Sequence, residues 1–411
     1  MREELVKRIA ASSPDSRGDA LTSSIETDLV HLGRAPARYA GAINIPPHRT
    51  STVAFDTVRE LEAAKRARFE KGTVFYGRFG GPDIFAFEDA VAALEGADSA
   101  VAVPSGLAAC ILPVAAFART GDHILVVDNV YEPARTSLTE YFAGNGVEIS
   151  YFDPLVGEEI DALIRPSTKL IYLESPGSFT FEVMDIPAIC EVARKRGVIT
   201  VCDNTWATPL YYQPLRHGVD IVVHAGTKYI IGHSDAMLGI VAARDEHAQA
   251  LKRAANWLGY HASPDNVYLA ARGLRTLALR MAAHQANGLA LATYLAGRPE
   301  IARVLHPALP GCPGHAIWKR DFFGSSGLFS VVLRTTEKAN AERFVEGLNL
   351  FGLGFSWGGF ESLVLIGDPA HSRTATPWRE EGIVVRFHAG LENLSDLVSD
   401  VEQSLEAHLS T

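Results

Sequence analysis

Cysteine is scarce in this sequence, and so are long apolar runs and blocks of positive charge. The 411 residues hold 4 cysteines. Cys110, Cys190, Cys202 and Cys312 lie far apart, form no CxxC pair and sit among apolar or small neighbours. That pattern suits reduced core thiols in a cytoplasmic protein rather than a disulfide framework. No apolar stretch is long enough to span a bilayer, and the opening MREELVKRIAASSPDSRGDA has no apolar signal core. Secretion and membrane insertion are therefore not expected. Lys and Arg number 38 against 48 Asp and Glu, a net charge of -10, which argues against a nucleic-acid partner. Neither GxxxxGK[ST] nor GxGxxG occurs, and GRFGG (77–81) lacks that spacing, so a nucleotide phosphate is not the evident target. The histidines show no HExxH or other ligand spacing, and no metal is expected. Internal repeats and low-complexity tracts are also missing.

What remains is a chain that is 47% hydrophobic and 21% charged, ordinary for a globular protein with large cores. Its length suggests roughly two to three domains. Residues 1–20 are polar and expected to be mobile. Residues 21–80 alternate short helical patterns with Pro/Gly-rich turns, and VRELEAAKRARFEK (58–71) is the clearest helix. IPPHRTST (45–52) must be extended or turning, because proline lacks the amide donor a helix interior needs.

From about residue 84 the pattern becomes regular. Aliphatic strands AVAV, HILVV, VEISYF, KLIYLE, VITVCD and DIVVHA alternate with helical stretches such as LAACILPVAAFAR, PARTSLTEYFAGNG, EEIDALIR and IPAICEVARKRG. This predicts an α/β layer with a mostly parallel sheet buried on both faces. AMLGIVAAR (236–244) reads as a further strand. Beyond about 275 a helix-rich segment leads to strands LFSVVLRT, SLVLIG and GIVVRFHA mixed with two more helices. Strict alternation is lost there, as expected of a smaller α+β domain. The predicted division is 1–80, 81–274 and 275–411.

In an open α/β sheet, ligands bind beyond the carboxyl ends of the strands. The polar residues at those ends are Ser105, Gly106 and Leu107 after AVAV, Tyr131 after HILVV, and Ser175 and Ser178 after KLIYLE. Asp203 and Thr205 end VITVC, and Thr227 and Lys228 follow DIVVHAG. Singly each has an ordinary explanation. PSGLAA is a turn opening a helix, Asp203 a turn cap, Tyr131 a core aromatic, Lys228 a surface lysine. Together they have one chemical logic. A helix N-terminus favours phosphate, and a strand-end lysine, a carboxylate and a stacking aromatic are what pyridoxal phosphate requires.

At these residues the sequence resembles the pyridoxal-phosphate enzymes of cysteine and methionine metabolism, and within them most resembles the bacterial cystathionine β-lyases. The likeness runs from about Ser24 to the C-terminus. VFYGR (74–78), LESPGS (173–178), DNTWATPLY (203–211), GTKYIIGHSDAMLG (226–239), SWGGFESL (356–363) and VRFHAGLEN (385–393) carry it. The resemblance implies fold type I, the aminotransferase-like architecture. It implies Lys228 as covalent anchor and proton shuttle, Asp203 on the ring nitrogen, and Tyr131 stacked on the ring. Ser105, Gly106, Leu107, Thr205 and Thr227 then fall in the cofactor cradle, with Tyr76 and Arg78 reaching in from a neighbouring subunit through the arm 1–80. Arg386 is implied to grip the substrate α-carboxylate, a task suited to a planar two-donor fork. Ser178, Ser356 and Trp357 line the same pocket. The assembly implied is a homodimer with shared sites, paired into a tetramer.

Aromatic Phe355 and Trp357 flank Ser356 as in β-lyases, and LESPGS matches them too. The activity implied is α,β-elimination of L-cystathionine or a related cysteine S-conjugate. The alternatives are γ-elimination or γ-replacement on homoserine or methionine-type substrates, and a catalytically silent cofactor-binding regulator. Two departures touch the substrate and cofactor. Where β-lyases read YGRRG this chain reads YGRFG, so Phe79 supplies no charge to a distal carboxylate. Either the leaving portion is apolar, or Arg135 or another basic residue compensates. Ala225 replaces a serine that binds phosphate in many relatives, the loss of one hydrogen bond.

Overall fold

The computed structural model describes residues 24–409, so the polar segment 1–20, expected to be mobile, lies outside the described residues. Seven strands form the larger sheet: β1 (Ser99–Val103), β2 (His123–Val127), β3 (Glu148–Phe152), β4 (Thr168–Glu174), β5 (Ile199–Asp203), β6 (Ile221–Ala225) and β7 (Gly239–Ala243). Their order is β1-β7-β6-β5-β4-β2-β3. All run parallel except β7, which is antiparallel to both neighbours. A parallel return needs a crossover of a dozen or more residues, usually a helix. Residues 226–238 hold only turns, so the chain comes back reversed and its connecting loop stays at the carboxyl edge of the sheet. That loop carries Lys228.

β1, β2, β6 and β7 are buried at nearly every position, as expected of strands covered on both faces. Helices Pro82–Glu95 and Gly106–Phe117 pack on β1 and β7, and Ile186–Arg196 packs on β5. A second sheet contains β8 (Ile301–Leu305), β9 (Leu328–Leu333), β10 (Gly352–Leu353), β11 (Leu363–Gly367) and β12 (Ile383–His388) in the order β10-β11-β12-β9-β8. It is antiparallel apart from the β10–β11 pair and has its own core around Phe329, Phe344 and Phe387. A helix of 33 residues, Pro264–Ala296, touches both assemblies. The boundary expected at 274/275 falls inside this continuous helix.

Several local expectations change. The helix read over 58–71 spans Val58–Arg66, opened by a capping box in which Thr57 and Glu60 exchange bonds of 3.2 and 3.3 Å. The stretch 133–146 is not one helix. An α-turn at Glu132–Thr136 widens to π geometry over Ser137–Phe142 and tightens to 3-10 at Ala143–Asn145. Ser137 and Thr139 hydroxyls bond the carbonyls of Pro133 and Arg135 at 2.8 and 2.9 Å, a competition that loosens helices. EEIDALIR (158–165) is not an α-helix; its first six residues lie in a 3-10 segment, Gly157–Leu163. Helix Asp245–Trp257 and strand β8 were not anticipated.

Candidate active site

The loop after β6 is closed at its neck. Thr227 N donates to Leu238 O at 3.0 Å, Leu238 N returns a bond to Thr227 Oγ1 at 3.0 Å, and Lys228 N donates to Ala225 O at 3.0 Å. Lys228 therefore leaves a rigid turn, not a flexible arm. Its Nζ meets Ser356 Oγ at 2.6 Å and stands 5.3 Å from the Trp357 ring. Ser356 has φ 85, an uncommon backbone for a residue with a side chain. Gly358, two residues on, packs so close that a Cβ there would lie 3.0 Å from Lys228 C. Burial lowers the Lys228 ammonium to about 8, Arg386 pushes the same way, and Asp203 opposes them.

The lysine opens onto a cavity of about 330 Å³, within the ~300–1,000 Å³ typical of small-molecule sites. Ser105, Gly106, Leu107, Tyr131, Ser178, Asp203, Thr205, Thr227, Trp357 and Arg386 line it with Lys228. Ser356 lines an adjoining chamber of about 320 Å³ that shares Tyr131, Ser178, Lys228, Trp357 and Arg386 with the first. Ser175 and Arg135 line neither chamber, but of the residues assigned from the sequence to cofactor or substrate all but three meet in one place. Tyr76, Arg78 and Phe79 do not. They stand on or beside the short turn Gly77–Phe79, where the Phe79 ring packs edge-on against Phe69 and Phe75 at 5.7 and 5.5 Å. Tyr76 is 42% exposed there.

Each lining group has a local reason for its place. Ser105 caps helix Gly106–Phe117, its hydroxyl accepting from Ala108 N at 3.1 Å, which leaves the first-turn amides of Gly106 and Leu107 free for an anion. A Cβ on Gly106 would come within 2.5 Å of the Ala225 Cβ, so only glycine permits this approach. Asp203 ends β5 only 8% exposed. Its Oδ1 accepts from Thr205 N at 2.9 Å and its Oδ2 from Cys110 Sγ at 3.6 Å, and no cation pairs with it among the described residues. Thr205 Oγ1 accepts from Ala225 N at 2.9 Å. Arg386, on β12, is pushed down to about 10 by burial. Its guanidinium lies 4.7 Å from the Phe179 ring and touches Ser356 O at 3.4 Å, with no carboxylate partner among the described residues.

Glu174, Cys110 and Phe179 are among the lining residues that the sequence reading does not assign to the site. Glu174 ends β4 beside Asp203 in the ladder and accepts from Tyr131 N at 2.7 Å. Burial first, and then the neighbouring Asp203 charge, drive its carboxyl well up from the ordinary carboxylate range. Only its place at a strand end hinted at this. Cys110 reads as a core thiol and Phe179 is not singled out, and no signal in the sequence distinguishes them.

The donor set fits pyridoxal phosphate. A buried carboxylate without a cationic partner suits a protonated ring nitrogen, a helix N-terminus suits the phosphate, and a lysine amine whose hold on its proton is weakened by burial suits the aldehyde. A buried arginine without an acid suits a substrate carboxylate. Fold type I and this site define a pyridoxal-phosphate enzyme that works on an amino acid.

Known proteins agree. The Cys/Met metabolism PLP-dependent enzyme family matches residues 26–406, and the chain belongs to it. It is 40% identical over 386 residues to the cystathionine beta-lyase MetC of Escherichia coli strain K12, covering 92% of this chain and 97% of that one. The cystathionine beta-lyase of Salmonella typhimurium is 41% identical over 383 residues, covering 92% and 97%. The crystal structure of metB from Corynebacterium glutamicum superposes with a TM-score of 0.87 at 35% identity, covering 95% of this chain and all (100%) of that one. Among the described residues no helix is long and apolar enough to cross a membrane.

Proposed function

We propose that this chain is a carbon–sulfur β-lyase that removes the thiol from Cβ of L-cystathionine or a related cysteine thioether, giving thiol, pyruvate and ammonia. The observation that carries the reading is Lys228. It is a buried amine lowered to about 8, held by Ser356, and it shares one cavity with Asp203 and Arg386.

When bound, pyridoxal phosphate supplies an electron-accepting ring conjugated with the substrate nitrogen. The rest falls to the protein. Gly106 and Leu107 amides, with Ser105, Thr205 and Thr227, would hold the phosphate, Tyr131 would stack on the ring, and Asp203 would keep the ring nitrogen protonated. Arg386 takes the substrate α-carboxylate in a two-point grip and so turns the Cα–H bond toward Lys228. Neutral Lys228 Nζ accepts that proton, and the Cβ–S bond breaks with its electron pair leaving on sulfur. Lys228 or Tyr131 then returns a proton to the departing thiolate. Ser356 holds Nζ in place between these transfers, and Trp357 and Ser178 wall the substrate side. The enamine left behind takes up water and falls apart to pyruvate and ammonia.

The division 1–80, 81–274 and 275–411 belongs to the same proposal, as do a cytoplasmic location and a homodimer, paired into tetramers, whose arms carry Tyr76 and Arg78 into the neighbour's cofactor site. The test is the keto acid. Purified enzyme loaded with pyridoxal phosphate should release pyruvate from cystathionine or S-alkyl cysteines, and Lys228→Ala should lose both activity and the visible cofactor band. Release of 2-oxobutyrate in place of pyruvate would assign γ-chemistry. A Lys228→Ala variant that stayed yellow and active would end the assignment.

A further inference from the structure

The chamber next to the lysine cavity has a composition that bears on the leaving group. Phe179, Phe355, Leu365, Ile366 and Pro369 give it an apolar wall, and the Phe355 side lies open, with that residue 89% exposed. A thioether whose leaving half is itself an amino acid brings a second carboxylate here, and a carboxylate taken from water needs a cation or several donors.

Among the described residues, the arginines and the lysine that line this chamber are already engaged. Lys228 and Arg386 serve the reacting end. Arg373 lines the chamber but is 8% exposed, with Nη1 2.6 Å from Glu182 and Nε 3.9 Å from Asp128. Arg135, the sequence's candidate for compensation, does not line the chamber. It donates to Asp128 O and Oδ1 at 3.0 and 3.1 Å and to Thr374 Oγ1 at 2.7 Å, and lies 3.5 Å over the Tyr151 ring. His371 lines the chamber in the same turn as the Asp368 carboxylate, whose Oδ1 accepts from the His371 backbone N at 3.2 Å. The other charged lining residues are the exposed carboxylates Glu132 and Asp368.

We propose, resting on the β-lyase reading, that the preferred substrates are cysteine thioethers whose leaving thiol carries no carboxylate: a short apolar chain, or one ending in an amine. The apolar wall accepts the methylenes. The rim repels a second carboxylate and tolerates or attracts an ammonium.

A matched series isolates the charge: S-propyl-, S-(2-aminoethyl)- and S-(2-carboxyethyl)-L-cysteine, assayed with the cofactor-loaded enzyme by pyruvate release. The propyl and aminoethyl compounds should exceed the carboxyethyl compound in kcat/KM by roughly tenfold or more. The gap between aminoethyl and carboxyethyl should shrink in high salt and in the double variant Glu132→Gln, Asp368→Asn. Equal or faster turnover of the carboxyethyl compound, or of cystathionine over S-propylcysteine, would overturn this inference and leave β-elimination standing. Pyruvate from none of them, with 2-oxobutyrate from a homoserine thioether, would overturn both.

Discussion

Lys228 must be unprotonated to capture an aldehyde, and the fold supplies the means. Burial is the largest cause of its fall to about 8, the Arg386 charge adds to it, and Asp203 works against both. Adding pyridoxal phosphate to cofactor-free protein should therefore give a visible band at a rate that rises with pH and is half-maximal near 8. An exposed lysine would place that midpoint near ~10.4. Arg386→Met removes one of the two lowering influences and should move the midpoint up. A wild-type midpoint near 10 would mean the amine is solvated and the cavity open. The same shift has a sign for stability. A folded-state value below the unfolded one means that the folded chain binds fewer protons, so the cost is fully present below about pH 8 and fades as pH rises past the ordinary lysine range. Lys228→Met should thus stabilise the cofactor-free protein at pH 7 by something on the order of 1–3 kcal/mol. That gain should vanish above about pH 10.5, which denaturant melts at the two pH values would read directly.

Beyond β2, the segment 373–376, which precedes β12, is fastened to the larger sheet by one carboxylate. Asp128, 1% exposed, accepts from Thr374 N, Ala375 N and Thr376 N at 3.0, 2.8 and 2.7 Å and pairs with Arg135 at 3.1 Å. Arg373 sits between it and Glu182. Since Pro369, His371, Ser372 and Arg373 line the substrate chamber, this clasp sets the position of one chamber wall. Asp128→Asn removes the charge and one acceptor and takes from the largely buried Arg135 its carboxylate partner, a local loss of roughly 2–5 kcal/mol. The expected result is faster proteolytic cleavage in 368–381 and a KM raised more than kcat is lowered. An unchanged KM with unchanged cleavage would show that the wall is held by packing alone. No sequence pattern reveals this clasp, because its partners lie 246 to 248 residues apart. By contrast the lining at Ser105, Tyr131, Asp203 and Lys228 was legible, since strand periodicity finds the strands and parallel topology gathers their carboxyl ends. Glu174 was missed because an acidic residue closing KLIYLE reads as the polar end of a strand. The reversal of β7 was missed because hydrophobic runs carry no direction; only the lack of a helix in 226–238 does. Side-chain hydroxyls broke the expected helix 133–146, an effect that periodicity does not register.

At the scale of the molecule the cofactor cavity is short of positive charge at its phosphate end. A phosphate ester carries up to about two negative charges, yet among the described residues the only cations lining the cavity are Lys228 and Arg386, both spoken for. Amides at a helix N-terminus contribute about half an elementary charge, so the shared site proposed above would add the cation that this end lacks. The arm offers one. Arg78 is exposed, its Nη1 bonded only to the carbonyl of Asn256 at 3.0 Å among the described residues, and Tyr76 beside it is exposed as well. In a two-fold dimer every contact of this kind occurs twice, arm of each chain to site of the other. Sharing of this kind makes a prediction that a self-contained monomer does not. Lys228→Ala and Arg78→Ala should each be inactive alone. When the two are unfolded together and refolded as a mixture, half of the dimers pair one chain of each kind. Such a dimer holds one ruined site with both defects and one intact site, in which a normal Lys228 meets a normal Arg78 from across the interface. Activity should return to about a quarter of the wild-type level, with a matching return of the visible band in the Lys228-bearing chains. If each site were built from one chain, the mixture would stay as inactive as its parents, and the missing cation would have to be sought within the chain itself.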